Sequence, residues 1–206
     1  MRAVLITGAR GGIGSALCAA FDQAGFRVVA TDLAGPLPLN SHAFVAANLE
    51  TIVQDAGALE SFAQEVRKAC EGTKFSVLVN NAAVQVLGSL PNISTVDWER
   101  SFRVHVTTHF ILVREFLSDL TMAEGTVINI GSVHAKATKQ SFVAYAATKA
   151  ALHGLTRSLA VDLGEKLRVI TLAPAAIATP MQLWRLPIYW QPTAGTRMIT
   201  GAMSCH

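Results

Sequence analysis

Apolar residues along this chain fall into short unbroken runs separated by longer amphipathic stretches. The runs cover residues 3–6, 27–31, 43–47, 75–79, 126–130 and 167–172. They have strand length, are rich in Val and Ile and lack polar alternation, as strands covered on both faces do. The stretches between them read as helices. Ser94-Thr95-Val96-Asp97 is a capping box that opens a helix through Trp98 and Phe102 to Phe116, and Thr51-Ile52-Val53-Gln54 opens another that ends near Lys68. Strand alternating with helix predicts an α/β fold, a Rossmann-type doubly wound parallel sheet in a single domain.

Composition adds exclusions. With 206 residues, 51% hydrophobic and 15% charged, the chain has material for one large core, which argues against disorder. A net charge of +3 spread over dispersed Lys and Arg leaves no footprint for nucleic acid or an anionic membrane, so neither partner is expected. The apolar start is interrupted at Thr7-Gly8 and Arg10 before a signal-peptide core forms, and no run reaches the roughly 20 apolar residues of a membrane span. A soluble, cytoplasmic protein is expected. Cys18, Cys70 and Cys205 are odd in number and far apart, so neither a disulfide frame nor a metal site is expected.

Chemistry enters at two places. Directly after the first run stands Thr7-Gly8-Ala9-Arg10-Gly11-Gly12-Ile13-Gly14, leading into a helix with Leu17, Ala20 and Phe21. Glycines at Gly8, Gly12 and Gly14 let the backbone turn tightly and approach a pyrophosphate, which a helix N-terminus attracts. Eighteen positions after Gly14, Asp32 ends the second strand, where a carboxylate accepts ribose hydroxyls and repels the extra phosphate of NADP. NAD is therefore the expected cofactor over NADP, with Arg10 the one nearby basic residue that argues otherwise. Further along, Tyr145 and Lys149 lie four apart in a helical segment, thirteen residues after Ser132 at a strand end. An ammonium near a phenol favours the phenolate and brings it towards useful general acid–base range, while Ser132 can hold a substrate oxygen.

Together these motifs, with Asn80-Asn81-Ala82-Ala83 after the fourth strand, resemble the short single-domain branch of the short-chain dehydrogenase/reductase family from Met1 to about Met181. The resemblance implies an oxidoreductase that passes hydride between a nicotinamide cofactor and a secondary alcohol or carbonyl, with Ser132, Tyr145 and Lys149 catalytic. By the same resemblance, Gly8, Arg10, Gly12, Ile13, Gly14, Asp32, Leu33, Asn48, Leu49, Asn80 and Ala82 face the cofactor, with Asn80 to Ala82 also supporting the sheet centre. Lys149 also holds the nicotinamide ribose, and Pro174, Ile177 and Thr179 bracket the nicotinamide. Gln85, Val86 and His134 fall where substrate contacts belong. The helices from Ser94 and through Tyr145 resemble the pair this family dimerises with, so a homodimer or homotetramer is expected.

Three departures stand out. His105 occupies the place of the family's Asn, which holds a water in a proton relay behind the lysine; a neutral imidazole has one donor and one acceptor and can also hold a water, or it can simply be a packed helical histidine. Ala83 and Ala175 replace common glycines. After Met181 the match thins: Ile199-Thr200-Gly201 follows after seventeen residues and no Asp-Gly-Gly appears, so the C-terminal part reads as shortened. Such a loss predicts an uncovered apolar sheet face, with Trp184, Tyr189 and Trp190 patching the gap, lining a pocket or forming an aberrant tail. The rival to an enzyme is a non-catalytic nucleotide-binding member of the family.

Overall fold

The computed structural model describes residues 1–175 and Ile177. In chain order its elements are β1 (Arg2–Thr7), α1 (Gly12–Gln23), β2 (Arg27–Asp32), β3 (Ala43–Ala46), α2 (Leu49–Ile52), α3 (Ala56–Ala69) and β4 (Lys74–Asn80). Then follow α4 (Thr95–Phe102), α5 (Thr108–Glu115), α6 (Leu117–Met122), β5 (Thr126–Ile130), α7 (Val143–Leu163) and β6 (Arg168–Leu172). All strand pairings are parallel and the order is β3-β2-β1-β4-β5-β6. Strand order reverses between β1 and β4, and the crevice beyond the carboxyl ends there is where such sheets bind ligands.

Successive side chains of each strand feed two cores. Ala3, Leu5, Val29, Leu78 and Val127 pack on one face against Phe62, Leu112, Phe116 and Leu120. Val4, Ile6, Val28, Ala30, Val77, Val79 and Ile130 pack on the other against Cys18, Ile13, Leu17 and Phe21 of α1. On that second face, at the β6 edge, Ile170 and Leu172 stay exposed among the described residues. Cys18 and Cys70 belong to opposite faces and burial pushes each thiol up to about 11, so both are inert packing groups. Among the described residues no helix is long and apolar enough to cross a membrane, and no group of three or more His, Cys, Asp or Glu is arranged to hold a metal.

Two helices differ from their sequence reading. The helix expected from Thr51 to Lys68 is interrupted: α2 ends at Ile52, and α3 restarts behind Asp55, whose Oδ1 accepts the Ala58 N–H at 3.0 Å. The acid at residue 55 is a better N-cap than Thr51, because its oxygen reaches the orphan amide three residues on. The helix from Ser94 does run to Glu115, with Ser94 Oγ accepting the Asp97 N–H at 3.0 Å. However, Arg103–Thr107 is wound as a π-turn between α4 and α5. Such wide turns are rare and cluster at functional sites.

Candidate active site

The loop after β1 is tied across to the end of β4. Thr7 Oγ1 donates to the Val79 carbonyl at 3.2 Å and accepts the amides of Asn81 and Ala82, each at 2.9 Å. The Asn81 side-chain amide returns bonds to the carbonyls of Thr7 at 2.9 Å and Gly8 at 3.0 Å. Gly8 has φ +63°, and a Cβ there would lie 2.8 Å from the Ala82 Cα; at Gly14 it would lie 2.1 Å from the Gly8 carbonyl oxygen. Only glycine satisfies both places. Gly11 caps α1 without a side-chain bond and the first turn carries no acid, so its amides present an open, electropositive cradle. This cradle fits a pyrophosphate.

Asp32 sits beside it with both oxygens oriented by backbone: Oδ2 accepts the Arg10 N–H at 2.9 Å and Oδ1 the Leu33 N–H at 2.8 Å. The Arg10 guanidinium is held by the carbonyls of Ala34 at 3.0 Å and Leu33 at 3.4 Å. Leu33 is exposed at this rim. Asn48 caps α2, its Oδ1 accepting the Glu50 N–H at 3.1 Å.

Two expected cofactor contacts are instead interior. Leu49 is buried in the core, because the first turn of α2 rotates it inward beside Val45. The Asn80 side chain is fully buried and donates to Asn129 Oδ1 at 2.9 Å. Asn129 donates in turn to Thr156 Oγ1 at 2.9 Å, which also receives the Thr171 hydroxyl at 2.8 Å. This polar chain joins β4, β5, α7 and β6, the sheet-centre support expected of Asn80, while the residue has no exposed surface to offer a cofactor. Ala82 and Ile13 remain partly accessible at the cradle.

Across the crevice, β5 delivers Ser132 and α7 delivers Tyr145 and Lys149. Ser132 Oγ accepts the His134 N–H at 3.2 Å, which leaves its proton free to donate. Lys149 Nζ donates to the Ile130 carbonyl at 2.8 Å and lies 5.7 Å from the Tyr145 ring centre. Burial lowers Lys149 to about 8. For Tyr145, burial raises the phenol and the Ser132 hydroxyl pulls it back. This departs from the sequence expectation: in the folded chain burial outweighs any help from the lysine, and the opposing group is Ser132.

His105 is fully buried with both ring nitrogens engaged, Nε2 on the Val84 N–H at 3.2 Å and Nδ1 on Thr148 Oγ1 at 2.9 Å. Of the two readings the sequence leaves open for His105, the packed helical histidine fits and the water-holding one does not, because both ring nitrogens are engaged. Burial, then the charge of Lys149, lowers His105 to about 3.

His134 stacks on Phe142 with centroids 4.5 Å apart, and both meet the Tyr145 ring edge-on at 6.0 and 5.7 Å. The segment through Gln85 and Val86 is clipped to this wall by Gly88 N–H donating to the Ser141 carbonyl at 2.9 Å. The Pro174 carbonyl accepts the Val133 N–H at 3.1 Å beside Ser132, and Ile177 is exposed. Thr179, Trp184, Tyr189, Trp190 and Cys205 lie outside the described residues.

Sequence reading missed Thr7 as the tie between the loops, Thr148 as the partner of His105, Asn129 as the partner of Asn80, and His109. The last is fully buried one turn beyond His105. Only the Thr7-Gly8 and His105-to-His109 spacings carried any local signal.

The family model described as short chain dehydrogenase matches residues 2–185. An uncharacterized oxidoreductase of Schizosaccharomyces pombe is 32% identical over 200 residues, 96% of this chain and 74% of the relative. A 3-alpha-(or 20-beta)-hydroxysteroid dehydrogenase of Mycobacterium tuberculosis is 36% identical over 110 residues, 52% of this chain and 42% of that protein. Among solved structures, a 4-hydroxyisoleucine dehydrogenase complexed with NADH superposes with a TM-score of 0.74 at 25% identity, over 88% of this chain and 78% of that one. A 3-oxoacyl (acyl-carrier-protein) reductase from Agrobacterium tumefaciens with NADP bound superposes with a TM-score of 0.77 at 26% identity, over 88% and 72%.

Proposed function

The chain belongs to the short-chain dehydrogenase family, and from that premise we propose that it is a nicotinamide-dependent oxidoreductase interconverting a secondary alcohol and its carbonyl. The observation that carries this reading is the convergence of Ser132, Tyr145 and Lys149 from two elements at the end of β5, with Lys149 buried and aimed at the Ile130 carbonyl. A nucleotide binder without turnover could use Lys149 on the cofactor, but has no use for Ser132 and Tyr145 set together beside it.

The bound cofactor supplies or accepts the hydride. The amides around Gly8, Arg10, Gly12, Ile13 and Gly14 would hold its pyrophosphate, Asp32 its adenosine ribose, and Lys149 its nicotinamide ribose. Leu33, Asn48 and Ala82 would border the adenosine, and Pro174 and Ile177 the nicotinamide. Ser132 donates its free proton to the substrate oxygen and holds it against Tyr145. In the reducing direction, Tyr145 gives its phenolic proton to that oxygen as negative charge develops there, and the Lys149 ammonium stabilises the phenolate left behind.

NAD is the preferred form in this reading. Two backbone amides fix the Asp32 carboxylate, and two carbonyls occupy the Arg10 guanidinium. A second phosphate would meet an oriented negative charge, while Nη1 of Arg10 is turned to the Leu33 and Ala34 carbonyls. A homodimer or homotetramer is also part of the proposal, supported by exposed Phe110 on α5 and Val161 on α7.

The test is NADH and NADPH binding by fluorescence, followed by NADH oxidation with probe carbonyls: a 3-oxosteroid, cyclohexanone and acetoin. Turnover that disappears in Tyr145→Phe while binding persists is the expected result. Tight binding with no turnover, unchanged in that variant, would favour the non-catalytic alternative.

A further inference from the structure

We propose that His105 is a positioning residue: held in its Nδ1–H form, it clamps the loop at Val84 through Thr148 to the first two turns of α7 and so fixes the ring of Tyr145. The inference deepens the functional reading above and rests on it only for its effect on turnover.

The protonation pattern follows from the partners. The Val84 amide can only donate, so Nε2 of His105 must carry the lone pair and Nδ1 the proton. Nδ1–H then donates to Thr148 Oγ1 at 2.9 Å, and the Thr148 hydroxyl spends its own proton on the Tyr145 carbonyl at 2.9 Å. Every donor meets an acceptor, and no other assignment satisfies all three bonds. The imidazole also lies edge-on to the Tyr145 ring, with centroids 5.8 Å apart and planes at 88°. His105 thus holds Tyr145 from two directions, through its ring and through the turn that carries it.

The backbone is shaped for this contact. The π-turn Arg103–Thr107 closes through the Thr108 N–H and hydroxyl, both on the Arg103 carbonyl. It turns His105 inward together with His109 one turn on, both essentially without exposure. The ionisable groups facing this pocket are Lys149 and Tyr145 from α7 and His109 from α5. With a lysine that close, a second cation at His105 is disfavoured, and protonating Nε2 would break the bond to Val84. A residue so committed cannot exchange protons during turnover.

The test uses the chain of residues 1–206, alone and with NADH. Nitrogen-15 correlation spectra of the histidine rings, with His105→Asn for assignment, are expected to show a protonated Nδ1 at His105 that does not titrate between about pH 5 and 9. Amide exchange at Val84 should accelerate at least about tenfold in His105→Phe, with the β4 amides unchanged. Thr148→Val should lower kcat for a probe carbonyl about tenfold, the scale of one lost buried hydrogen bond, with KM held within about twofold. Thr148→Ser should restore it. A ring titrating in that window, an Nε2–H form, or Thr148→Val at wild-type kcat would each overturn the proposal. A wild-type chain that neither binds NADH nor turns over, yet shows the expected ring form and Val84 exchange, would overturn the functional reading and leave the clamp intact.

Discussion

The ammonium of Lys149 is bonded to the backbone carbonyl of Ile130 at 2.8 Å, at the last residue of the strand that delivers Ser132. One bond therefore sets the spacing between the serine and the helix of Tyr145, and it does so with a cation that burial has made costly to keep charged.

That cost has a sign that can be measured. Lys149 is lowered from 10.5 to about 8 by burial, so between those values the unfolded chain binds the extra proton and stability rises with pH. Below pH 8 the full penalty applies. Lys149→Met should raise Tm at pH 7 while abolishing turnover, and the gain should shrink to nothing as the pH climbs from 8 to 10.5. Thermal melts across that range check it; a gain that stays constant with pH would contradict the assignment.

Acid acts on the other side. His105 falls from 6.5 to about 3 and His109 also lies well below its usual value, burial leading in both cases. The folded chain refuses protons that the unfolded chain accepts, so stability is lost as the pH drops from 6.5 towards 3. His109→Leu should flatten this acid slope, because it removes one of the two buried rings that refuse the proton. Urea unfolding at pH 5 and pH 7 provides the comparison.

Tyr145→Phe should cut kcat by about 10²- to 10⁴-fold, the usual worth of a general acid, and leave NADH affinity nearly unchanged. Stopped-flow NADH oxidation with parallel binding titrations separates the two effects.

Asp32→Ser removes the oriented carboxylate, and NADPH affinity should rise on the order of tenfold while NADH affinity falls. Competitive fluorescence titration reads both at once. NADPH already binding more tightly to the unaltered chain would reverse the proposed preference.

Gly14→Ala places a methyl against the Gly8 carbonyl, and Gly8→Ala adds a strained φ to a clash with Ala82. Each should cost about 1–3 kcal/mol of stability and prevent cofactor binding. Calorimetry in the absence of cofactor tests the first effect independently of the second.

The strands, the glycine loop, Asp32 and the Ser132, Tyr145 and Lys149 set were legible because each is written within a few neighbouring residues. Val and Ile runs mark buried parallel strands wherever they occur, and the glycine spacing states its own backbone demands. What escaped depends on partners distant in sequence. His105 meets Val84 and Thr148 at separations of 21 and 43 residues, and Asn80 meets Asn129 at 49. Their roles follow from strand register and helix rotation, which no local window contains. The break at Asp55 was a competition between two plausible caps, decided by which side chain could reach an orphan amide.

The single hydroxyl of Thr7 joins both walls of the cofactor cradle, taking two amides from one and anchoring the other to β4. A receptor knotted in this way has its entropy loss behind it before any ligand arrives, so little ordering remains to be done on binding. Thr7→Val would change the stiffness of the cradle more than its contacts, turning a rigid mould into one that its own ligand must set.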